Sequence, residues 1–293
     1  MPEPGSLPLP RALVAAAEAE HRTPWLATVP ATVARLARTW SLTVEAPFQP
    51  GGQTAWVAPA RNRAGADLVL KVAWAHPEAL HEAEGLRAWA GHGAVRLHAA
   101  EEFPDTVGLL LERCRPGTPL TELAEQRQDV VVAELLRRLW SAPVSDTPFR
   151  PLQEMCDLWA DAFQARLAAA SGVLDPGMAR EGIALFRALP AGADRRVLLA
   201  TDLHAGNVLA AQREPWLLID PKPYVGDPTY DPLQHMLNCE ERLHADPAGL
   251  AGRMADLLGL DPLRLRRWLF ARCVQESLDE PALADVARRI PIE

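Results

Sequence analysis

The chain has 293 residues, a formal net charge of −8, 48% hydrophobic residues and 23% charged residues. This composition excludes wholesale disorder, and the length suits one large domain or two lobes that share a cleft. The sequence has no apolar run near the roughly 18 residues of a membrane span, no pattern typical of a signal peptide and no clustered basic tract for nucleic acid. We therefore expect a cytoplasmic protein with neither a membrane nor a nucleic-acid partner.

Cysteine and lysine are both used sparingly. The cysteines form no C-x-x-C pair, which favours a reduced protein without a zinc site or a disulfide framework. They are Cys114, Cys156, Cys239 and Cys273. Of the 30 basic residues, only Lys71 and Lys222 are lysines. Because lysine is a compact point charge and arginine a broad planar fork, some sites accept only one of them, so each lysine is a candidate functional residue.

The first part of the chain predicts two short helices and then mainly strands. The helices are expected over 11–20 and 31–40, punctuated by Pro24 and Pro30. Short apolar or β-branched runs separated by turn residues predict the strands. These runs are SLTVEAPF (41–48), TAWVAPA (54–60), ADLVLKVAW (66–74), AVRLHAAE (94–101) and TVGLLLERC (106–114). A single helix over 76–93, with Pro77 in its first turn, is expected to interrupt them.

The rest of the chain predicts mostly helices. Apolar residues at three- and four-residue spacing indicate helices, and short apolar runs indicate strands. The helices are expected over 119–140, 151–170, 177–189 and most of 229–290, and the strands around 196–199, 207–211 and 216–219. We therefore expect an α+β protein with a sheet-rich lobe over 1–112, a hinge over 113–118 and a larger helical lobe over 119–293.

Lys71 lies in the middle of the predicted strand LVLKVAW. A lysine on an edge strand commonly extends its ammonium group to solvent, but the apolar neighbours and the scarcity of lysine favour a buried, paired ammonium. Its partner is expected on the following helix, where Glu78 and Glu82 share one face. We favour Glu82, which should lie deep enough in the helix to point back at the sheet. Glu78 is the alternative, and Glu84 is expected to be solvated.

A second polar group follows in LLATDLHAGNVL (198–209). Asp202 and Asn207 have the D-x-x-x-x-N spacing of a kinase catalytic loop, in which Asp accepts a hydroxyl proton and Asn ligates Mg²⁺. Both residue types are common in turns, so this spacing alone is weak. Asp220 ends the buried strand WLLID and can offer an oxygen to the same hard cation. The order strand Lys, helix Glu, hinge, D-x-x-x-x-N, strand Asp makes the pattern specific.

In these motifs the sequence resembles the aminoglycoside phosphotransferases, a branch of the protein-kinase-like enzymes, and among them the streptomycin 6-phosphotransferases and hydroxyurea phosphotransferases. The resemblance spans roughly residues 25–280. It is carried by LLATDLHAGNVL, WLLIDPKPYVGDPTYDP (216–232), HEAEGLRAW (81–89) with GAVRL (93–97), and LLLERCRPGTPL (109–120). It implies a protein-kinase-like bilobal fold, with a small antiparallel sheet and one helix in the N-terminal lobe and a larger, mostly helical C-terminal lobe.

The resemblance implies an ATP-dependent O-phosphotransferase that acts on a small hydroxylated, cationic molecule, such as a streptomycin-like aminoglycoside. It implies Asp202 as the catalytic base, and Asn207 and Asp220 as ligands of Mg²⁺. The family loop commonly begins with His-Gly before the aspartate, whereas this chain has Ala200-Thr201. Because that histidine supports the loop and does no chemistry, the departure leaves the implied activity in place.

For the nucleotide, the resemblance places Lys71 on the ATP phosphates, oriented by Glu82. It gives the backbone of Glu112 to Cys114 the hydrogen bonds to adenine. A G-x-G-x-x-G-x-V phosphate loop is absent from the sequence.

The best candidate for a phosphate loop is QPGGQTAWV (49–57), in which Gly51 and Gly52 lie at a strand turn. An ordinary hairpin glycine pair is typical of the same pattern, and both interpretations stay open.

Several neighbouring residues have more than one interpretation. His204 is expected to hold the loop. Lys222 closely follows Asp220 and is expected either near the phosphates or paired with Asp227. In GDPTYDP, Asp227, Tyr230 and Asp231 are expected to cap the next helix and to brace the site.

A polycationic acceptor would need carboxylates. The helical half offers Glu240, Glu241, Asp246, Glu276, Asp279 and Glu280. Arginines are mixed among them, which is typical of a solvated surface. Trp159 and Trp268 could line an acceptor pocket, but core positions on helices are favoured for both.

Three classes of function account for these motifs. The leading one is an ATP- and Mg²⁺-dependent kinase of a small molecule, with hydroxyurea or a sugar as other acceptors. A nucleotide-binding pseudokinase is the second, and the complete set of motif residues counts against it. A metal-dependent hydrolase built on Asp202, His204 and Asp220 is the third, and it leaves Lys71 without a role. We expect a monomer or a weak dimer.

Overall fold

The chain divides into two units, Met1–Gly117 and Thr118–Glu293. The computed structural model describes residues 7–144, 148–169 and 174–293, except for the side chain of Glu78. The first unit contains an antiparallel sheet and the second is mostly helical, so the expected α+β class is confirmed. The hinge over 113–118 stays a prediction. Among the described residues, every helix is too short or too polar to cross a membrane.

The first unit contains three α-helices and five strands within the described part of the chain. They are α1 (Arg11–Ala19), α2 (Thr23–Thr39), β1 (Leu42–Val44), β2 (Ala55–Asn62), β3 (Asp67–Trp74), α3 (Glu82–Trp89), β4 (Leu97–Phe103) and β5 (Thr106–Glu112). The strands form one sheet in the order β1-β2-β3-β5-β4, and every neighbouring pair is antiparallel. β3 is therefore the central strand, with a hydrogen-bonded neighbour on each side.

The helix α2 runs without interruption through Pro30, although the sequence predicted that a helix would begin only at residue 31. Pro24 lies in the first turn, where the missing N–H costs nothing. Pro30 removes an internal hydrogen bond, at a cost of about 3 kcal/mol. Each large side chain buried on the same helix contributes about 1.5–3 kcal/mol, so the shared core outweighs this cost. The buried face comprises Trp25, Leu26, Val29, Val33 and Leu36.

The single helix predicted over 76–93 is wrong. A 3-10 turn over Pro77–Ala79 is followed by α3, which begins only at Glu82. His81 separates them with a left-handed φ of 69°. The first turn of α3 holds Glu82 and Glu84, where the positive end of the helix dipole favours acidic side chains. Glu82 is thus the first residue of a helix, and Glu78 lies before the helix and not on a shared face.

The second unit contains helices and four short strands. They are α4 (Glu125–Leu139), α5 (Leu152–Ala169), α6 (Pro176–Ala188), β6 (Val197–Leu199), β7 (Val208–Ala210), β8 (Trp216–Leu218), β9 (Tyr224–Gly226), α7 (Leu233–Leu237), α8 (Glu240–Ala245), α9 (Pro247–Leu258), α10 (Pro262–Glu276) and α11 (Ala282–Arg288). The sequence did not predict β9, because Pro223 and Pro228 surround it and indicate turns. α4 begins later than predicted, since a separate 3-10 turn over Leu120–Glu122 precedes it.

Strand pairing in the second unit places two loops side by side. β6 pairs with β9 and β7 pairs with β8, both antiparallel. The chain therefore crosses from one two-stranded sheet to the other twice, after β6 and again after β8. We call the first crossing loop A (residues 200–207) and the second loop B (residues 219–223). Loop A holds Asp202 and Asn207, and loop B holds Asp220 and Lys222.

Candidate active site

Backbone hydrogen bonds join loop A to loop B at both ends. The N–H of Ile219 donates to the carbonyl of Asn207 at 2.8 Å, and the N–H of Lys222 donates to the carbonyl of Ala200 at 2.9 Å. The hydroxyl of Thr201 donates to the carbonyl of Lys222 at 2.5 Å. The two bonds made by the main chain hold the loops in one register, and the Thr201 hydroxyl adds a side-chain bond at the same end as Lys222.

Asp231 holds the start of loop A in place, which is the bracing role that the sequence predicted. Its buried carboxylate accepts hydrogen bonds from the N–H of Thr201 at 2.7 Å and of Ala200 at 3.1 Å. The indole N–H of Trp140 donates to its other oxygen at 2.8 Å. Burial raises the pKa of Asp231 to about 6, although these hydrogen bonds act in the opposite direction. The start of loop A is therefore tied to the core by a buried acid.

Asn207 lies against Asp202 within loop A. Its amide nitrogen donates to the backbone carbonyl of Asp202 at 3.1 Å and lies 3.4 Å from the carboxylate atom Oδ2. An amide group has its donor and acceptor on opposite branches. Since the nitrogen is directed at Asp202, the oxygen of Asn207 points elsewhere and can accept a cation.

Loop B adds the carboxylate of Asp220 to the polar groups of loop A. Asp220 has a left-handed φ of 53°, a conformation that aspartate tolerates better than most residues. The backbone bond between Ile219 and Asn207 brings Asp220 beside loop A. An amide oxygen and a carboxylate form the all-oxygen donor set that Mg²⁺ prefers. The residues present therefore fit a hard divalent cation.

Lys222 makes a contact that the sequence did not predict. Its ammonium nitrogen lies 3.2 Å from Oδ2 of Asp202. The expected alternative partner, Asp227, instead accepts hydrogen bonds from Arg264 and Trp268, each at 2.7 Å. The scarcity of lysine singled out Lys222, but its partner depends on the crossing of loop B beside loop A.

His204 has the loop-holding role that the sequence favoured. Its Nδ1 accepts a hydrogen bond from the N–H of Gly206 at 3.2 Å. A Cβ atom at Gly206 would lie 2.8 Å from the imidazole ring, so a larger residue there would displace the ring from the turn. Burial lowers the pKa of His204, which favours the neutral ring that this acceptor role needs.

In the first unit, the structure brings Lys71 and Glu82 together. The ammonium nitrogen of Lys71 lies 2.8 Å and 2.7 Å from the two carboxylate oxygens of Glu82. The two residues are only 6% and 5% exposed. Lys71 lies on the central strand β3, opposite Val57 and Leu109. The strand that carries Lys71 therefore has a hydrogen-bonded neighbour on each side. The side chain of the alternative partner, Glu78, lies outside the described residues.

Glu112 and Cys114 lie at the end of β5 and just after it. The N–H of Glu112 donates to the carbonyl of Arg96 at 2.8 Å, and its carboxylate accepts the N–H of Arg96 at 3.0 Å. Cys114 is buried. A further ion pair joins the following segment to β3, because Arg115 lies 2.8 Å from Asp67. The adenine-binding role of this segment stays a prediction.

Gly51 has a structural reason to be glycine. Its φ is 80°, and a Cβ atom there would lie 2.4 Å from Cβ of Pro10. The nearest neighbour of a Cβ atom at Gly52 would be 4.0 Å away. The carbonyl of Pro50 accepts the N–H of Ala12 at 3.1 Å, so the N-terminal segment packs on this loop. The contact with Pro10 favours the structural interpretation of Gly51, and the phosphate-binding role of the pair stays a prediction.

Three of the six carboxylates considered for an acceptor pocket have structural partners. Asp246 caps α9, Glu276 pairs with Arg272, and Asp279 pairs with Arg166. The two tryptophans considered with them belong to packed aromatic clusters. Trp268 is fully buried and Trp159 stacks on Phe186. These contacts favour structural roles for both tryptophans and for these three carboxylates.

A buried polar cluster outside the sequences of loops A and B was not anticipated from the sequence. Asp129, His235 and Cys239 are close enough to hold a metal ion. However, Arg242 and Arg253 already lie 2.8 Å and 2.7 Å from the Asp129 carboxylate. Burial by itself would raise the pKa of Asp129, but hydrogen bonds from His235 and both arginines lower it well below its usual value. Since two guanidinium groups neutralise the acid, we interpret the cluster as structural.

Comparisons with known proteins find one matching family and several similar relatives. The family described as aminoglycoside/hydroxyurea antibiotic resistance kinase matches residues 40–278. A streptomycin 6-kinase of Streptomyces glaucescens is 33% identical over 270 residues, which cover 88% of this chain and 85% of that protein. A hydroxyurea phosphotransferase of Kitasatospora aureofaciens is 38% identical over 269 residues, covering 88% and 75%.

A solved structure shows the same fold. It is a thermostable mutant of an aminoglycoside phosphotransferase in ternary complex with ADP and hygromycin B. The superposition has a TM-score of 0.58 at 18% identity and covers 87% of this chain and 95% of that chain. The protein-kinase-like fold expected from the motifs is thereby confirmed.

Proposed function

Because this chain belongs to the aminoglycoside/hydroxyurea antibiotic resistance kinases, we propose that it transfers the γ-phosphoryl group of ATP to a hydroxyl of a streptomycin-like aminoglycoside. The reaction yields ADP and an inactivated antibiotic. The observation that supports this most directly is the contact of Asn207 with Asp202 on loop A, which backbone hydrogen bonds join to loop B and its Asp220. The supply of ATP in the cytoplasm supports a cytoplasmic location.

Asp202 is the base in this proposal. It orients the acceptor hydroxyl and takes up its proton as the hydroxyl oxygen bonds to the γ-phosphorus and the bond to ADP breaks. Phosphoryl transfer depends on alignment and charge neutralisation more than on covalent chemistry. The partly exposed carboxylate of Asp202, which the Asn207 amide contacts at 3.4 Å, suits such an orienting role.

Two groups of residues hold the nucleotide in this proposal. Asn207 and Asp220 hold Mg²⁺, which supplies positive charge that offsets the charge of the phosphates. Lys71 binds the ATP phosphates, and its bidentate contact with Glu82 fixes the direction of its ammonium group. The segment from Glu112 to Cys114 binds adenine.

Hydroxyurea is the second candidate acceptor, and the identity to the hydroxyurea phosphotransferase supports it. The two acceptors differ in charge, since an aminoglycoside is a polycation and hydroxyurea is neutral. The net charge of −8 attracts a cationic substrate at long range. We therefore rank the aminoglycoside first.

The test is incubation of the protein with Mg²⁺ and ATP and, separately, streptomycin, hydroxyurea and a neutral sugar. Mass spectrometry of each acceptor detects the phosphate adduct, and we expect it on streptomycin. An adduct on hydroxyurea alone would favour the second candidate. ATP binding without an adduct on any acceptor would contradict the proposal and favour a pseudokinase.

A further inference from the structure

We propose that Lys222 is a further catalytic residue of this reaction, a role that rests on the proposed function. Its ammonium group pairs with the Asp202 carboxylate before transfer and neutralises the transferred phosphoryl group as Asp202 takes up the proton. The contact that supports this is the distance of 3.2 Å between Nζ of Lys222 and Oδ2 of Asp202. Lys222 thus touches the group that receives the proton.

The main chain of Lys222 is held firmly while its side chain stays accessible. Its N–H donates to the carbonyl of Ala200, and its carbonyl accepts the hydroxyl of Thr201. Pro221 and Pro223 on either side restrict the backbone further. The side chain is 31% exposed, so the ammonium group can reach a substrate that approaches Asp202.

Charge balance during transfer explains why a cation is needed at this point. The hydroxyl oxygen forms a bond to the γ-phosphorus, the bond from the γ-phosphorus to the bridging oxygen breaks, and its electron pair leaves on ADP. The hydroxyl proton moves to Asp202, which becomes neutral and loses its attraction for Lys222. The ammonium group then faces the phosphoryl oxygens. An interaction that becomes stronger in the transition state raises kcat.

Lysine suits this role better than arginine. An ammonium group on a flexible stem has three donors that can turn between partners, whereas a guanidinium group prefers one planar geometry. This chain uses arginine at nearly all of its 30 basic positions, yet it has lysine here. A solvent-accessible ion pair adds little to stability, so a structural role alone does not explain the choice.

The first experiment compares Lys222→Met with Arg138→Met. Arg138 forms an ion pair of 2.6 Å with Glu214 in the same unit, and neither residue belongs to loop A or loop B. With streptomycin and Mg²⁺-ATP, we expect kcat of Lys222→Met to fall by about 10²–10³-fold, as for other lost transition-state donors. The KM for ATP, calorimetric ATP binding and thermal stability should stay near wild type. Arg138→Met should keep wild-type kcat.

The second experiment restores the charge chemically. Lys222→Cys is treated with 2-bromoethylamine, which rebuilds a side chain ending in an ammonium group. The native cysteines are buried, and burial raises the pKa of Cys239 and Cys273 to about 12, so their thiols react slowly. We expect kcat to recover after this treatment and not after treatment with neutral iodoacetamide.

Two outcomes separate this inference from the proposed function. A wild-type protein that phosphorylates neither streptomycin nor hydroxyurea would overturn the proposed function and this role together. An active wild type with an equally active Lys222→Met variant would overturn the role of Lys222 alone. An aminoethylated protein that is folded and binds ATP but recovers no kcat would also overturn the role of Lys222 alone.

Discussion

The carboxylate of Asp231 accepts the backbone N–H of Thr201 at 2.7 Å, although thirty residues separate them in the chain. Thr201 has a left-handed φ of 49°, which is costly for a β-branched residue. The bond that its N–H donates to Asp231 and the bond that its hydroxyl donates to the carbonyl of Lys222 hold it there. These contacts explain how Ala200-Thr201 can begin loop A in place of the His-Gly that the family commonly has.

Asp231 should make stability depend on pH. Its folded pKa of about 6 lies above the ordinary 3.8, so the folded state binds the proton more tightly than the unfolded state. The stabilisation is complete below about pH 4 and is lost as the pH rises through 6, by about 3 kcal/mol. Urea unfolding of the wild type and of Asp231→Asn across this range measures it. Equal pH dependence in both proteins would contradict the assignment.

Asp202→Ala should abolish phosphoryl transfer and leave ATP binding nearly intact. The loss of a positioned general base costs about 10²–10⁴-fold in rate, and Asp202 makes no nucleotide contact in the proposed mechanism. Steady-state kinetics and calorimetric ATP binding test both statements. Asp256→Ala, an exposed change on α9, is the matched control and should behave like wild type. Full activity of Asp202→Ala would refute the assignment of the base.

Asp220→Ala should remove the effect of Mg²⁺ on ATP binding. Without its carboxylate, the cation site keeps the amide of Asn207 but loses its charged ligand. The affinity for Mg²⁺ should fall by more than about 10–100-fold, which is the typical loss when a residue that only hydrogen-bonds to a metal ligand is changed. Titrations of ATP with Mg²⁺ and with a chelator measure this difference. If Mg²⁺ still strengthens ATP binding in the variant, Asp220 is not the ligand.

Lys71→Met should weaken ATP binding and destabilise the first unit. Removal of one partner from a buried ion pair costs about 3–5 kcal/mol, and the Lys71–Glu82 pair is almost fully buried. The exposed pair of Arg35 and Glu101 in the same unit provides the control, since Arg35→Met should cost about 0–1 kcal/mol. Chemical denaturation compares the two variants. Similar losses of stability in the two variants would show that burial of the Lys71–Glu82 pair adds nothing to its contribution to stability.

Glu82 is the partner of Lys71, as predicted, but the structural reason differs from the predicted one. The sequence predicted one continuous helix with Glu82 well inside it. The structure breaks that helix at His81 and makes Glu82 the first helical residue. Helical periodicity shows which residues can share a face of one helix. A single residue in the left-handed conformation ends the helix, so the residues on its two sides no longer share a face. Proline and histidine patterns before α3 did not reveal the break.

The contact of Lys222 with Asp202 shows a different limit. The sequence supplied both residues, and the rarity of lysine marked one of them. Their meeting depends on β6 pairing with β9 and β7 with β8. β9 is three residues long and lies between prolines, so local preference for a strand is weak there. Tertiary pairing, not propensity, formed it.

The sequence by itself determined the family, the α+β class and the identity of the polar residues on loops A and B, because their types and spacing are local properties of the chain. Only the tertiary structure decided which of these residues touch, how Asp231 anchors Thr201 and how arginines neutralise Asp129. Such contacts join positions tens of residues apart. They arise from strand pairing and the burial of charge, which no short stretch of sequence specifies.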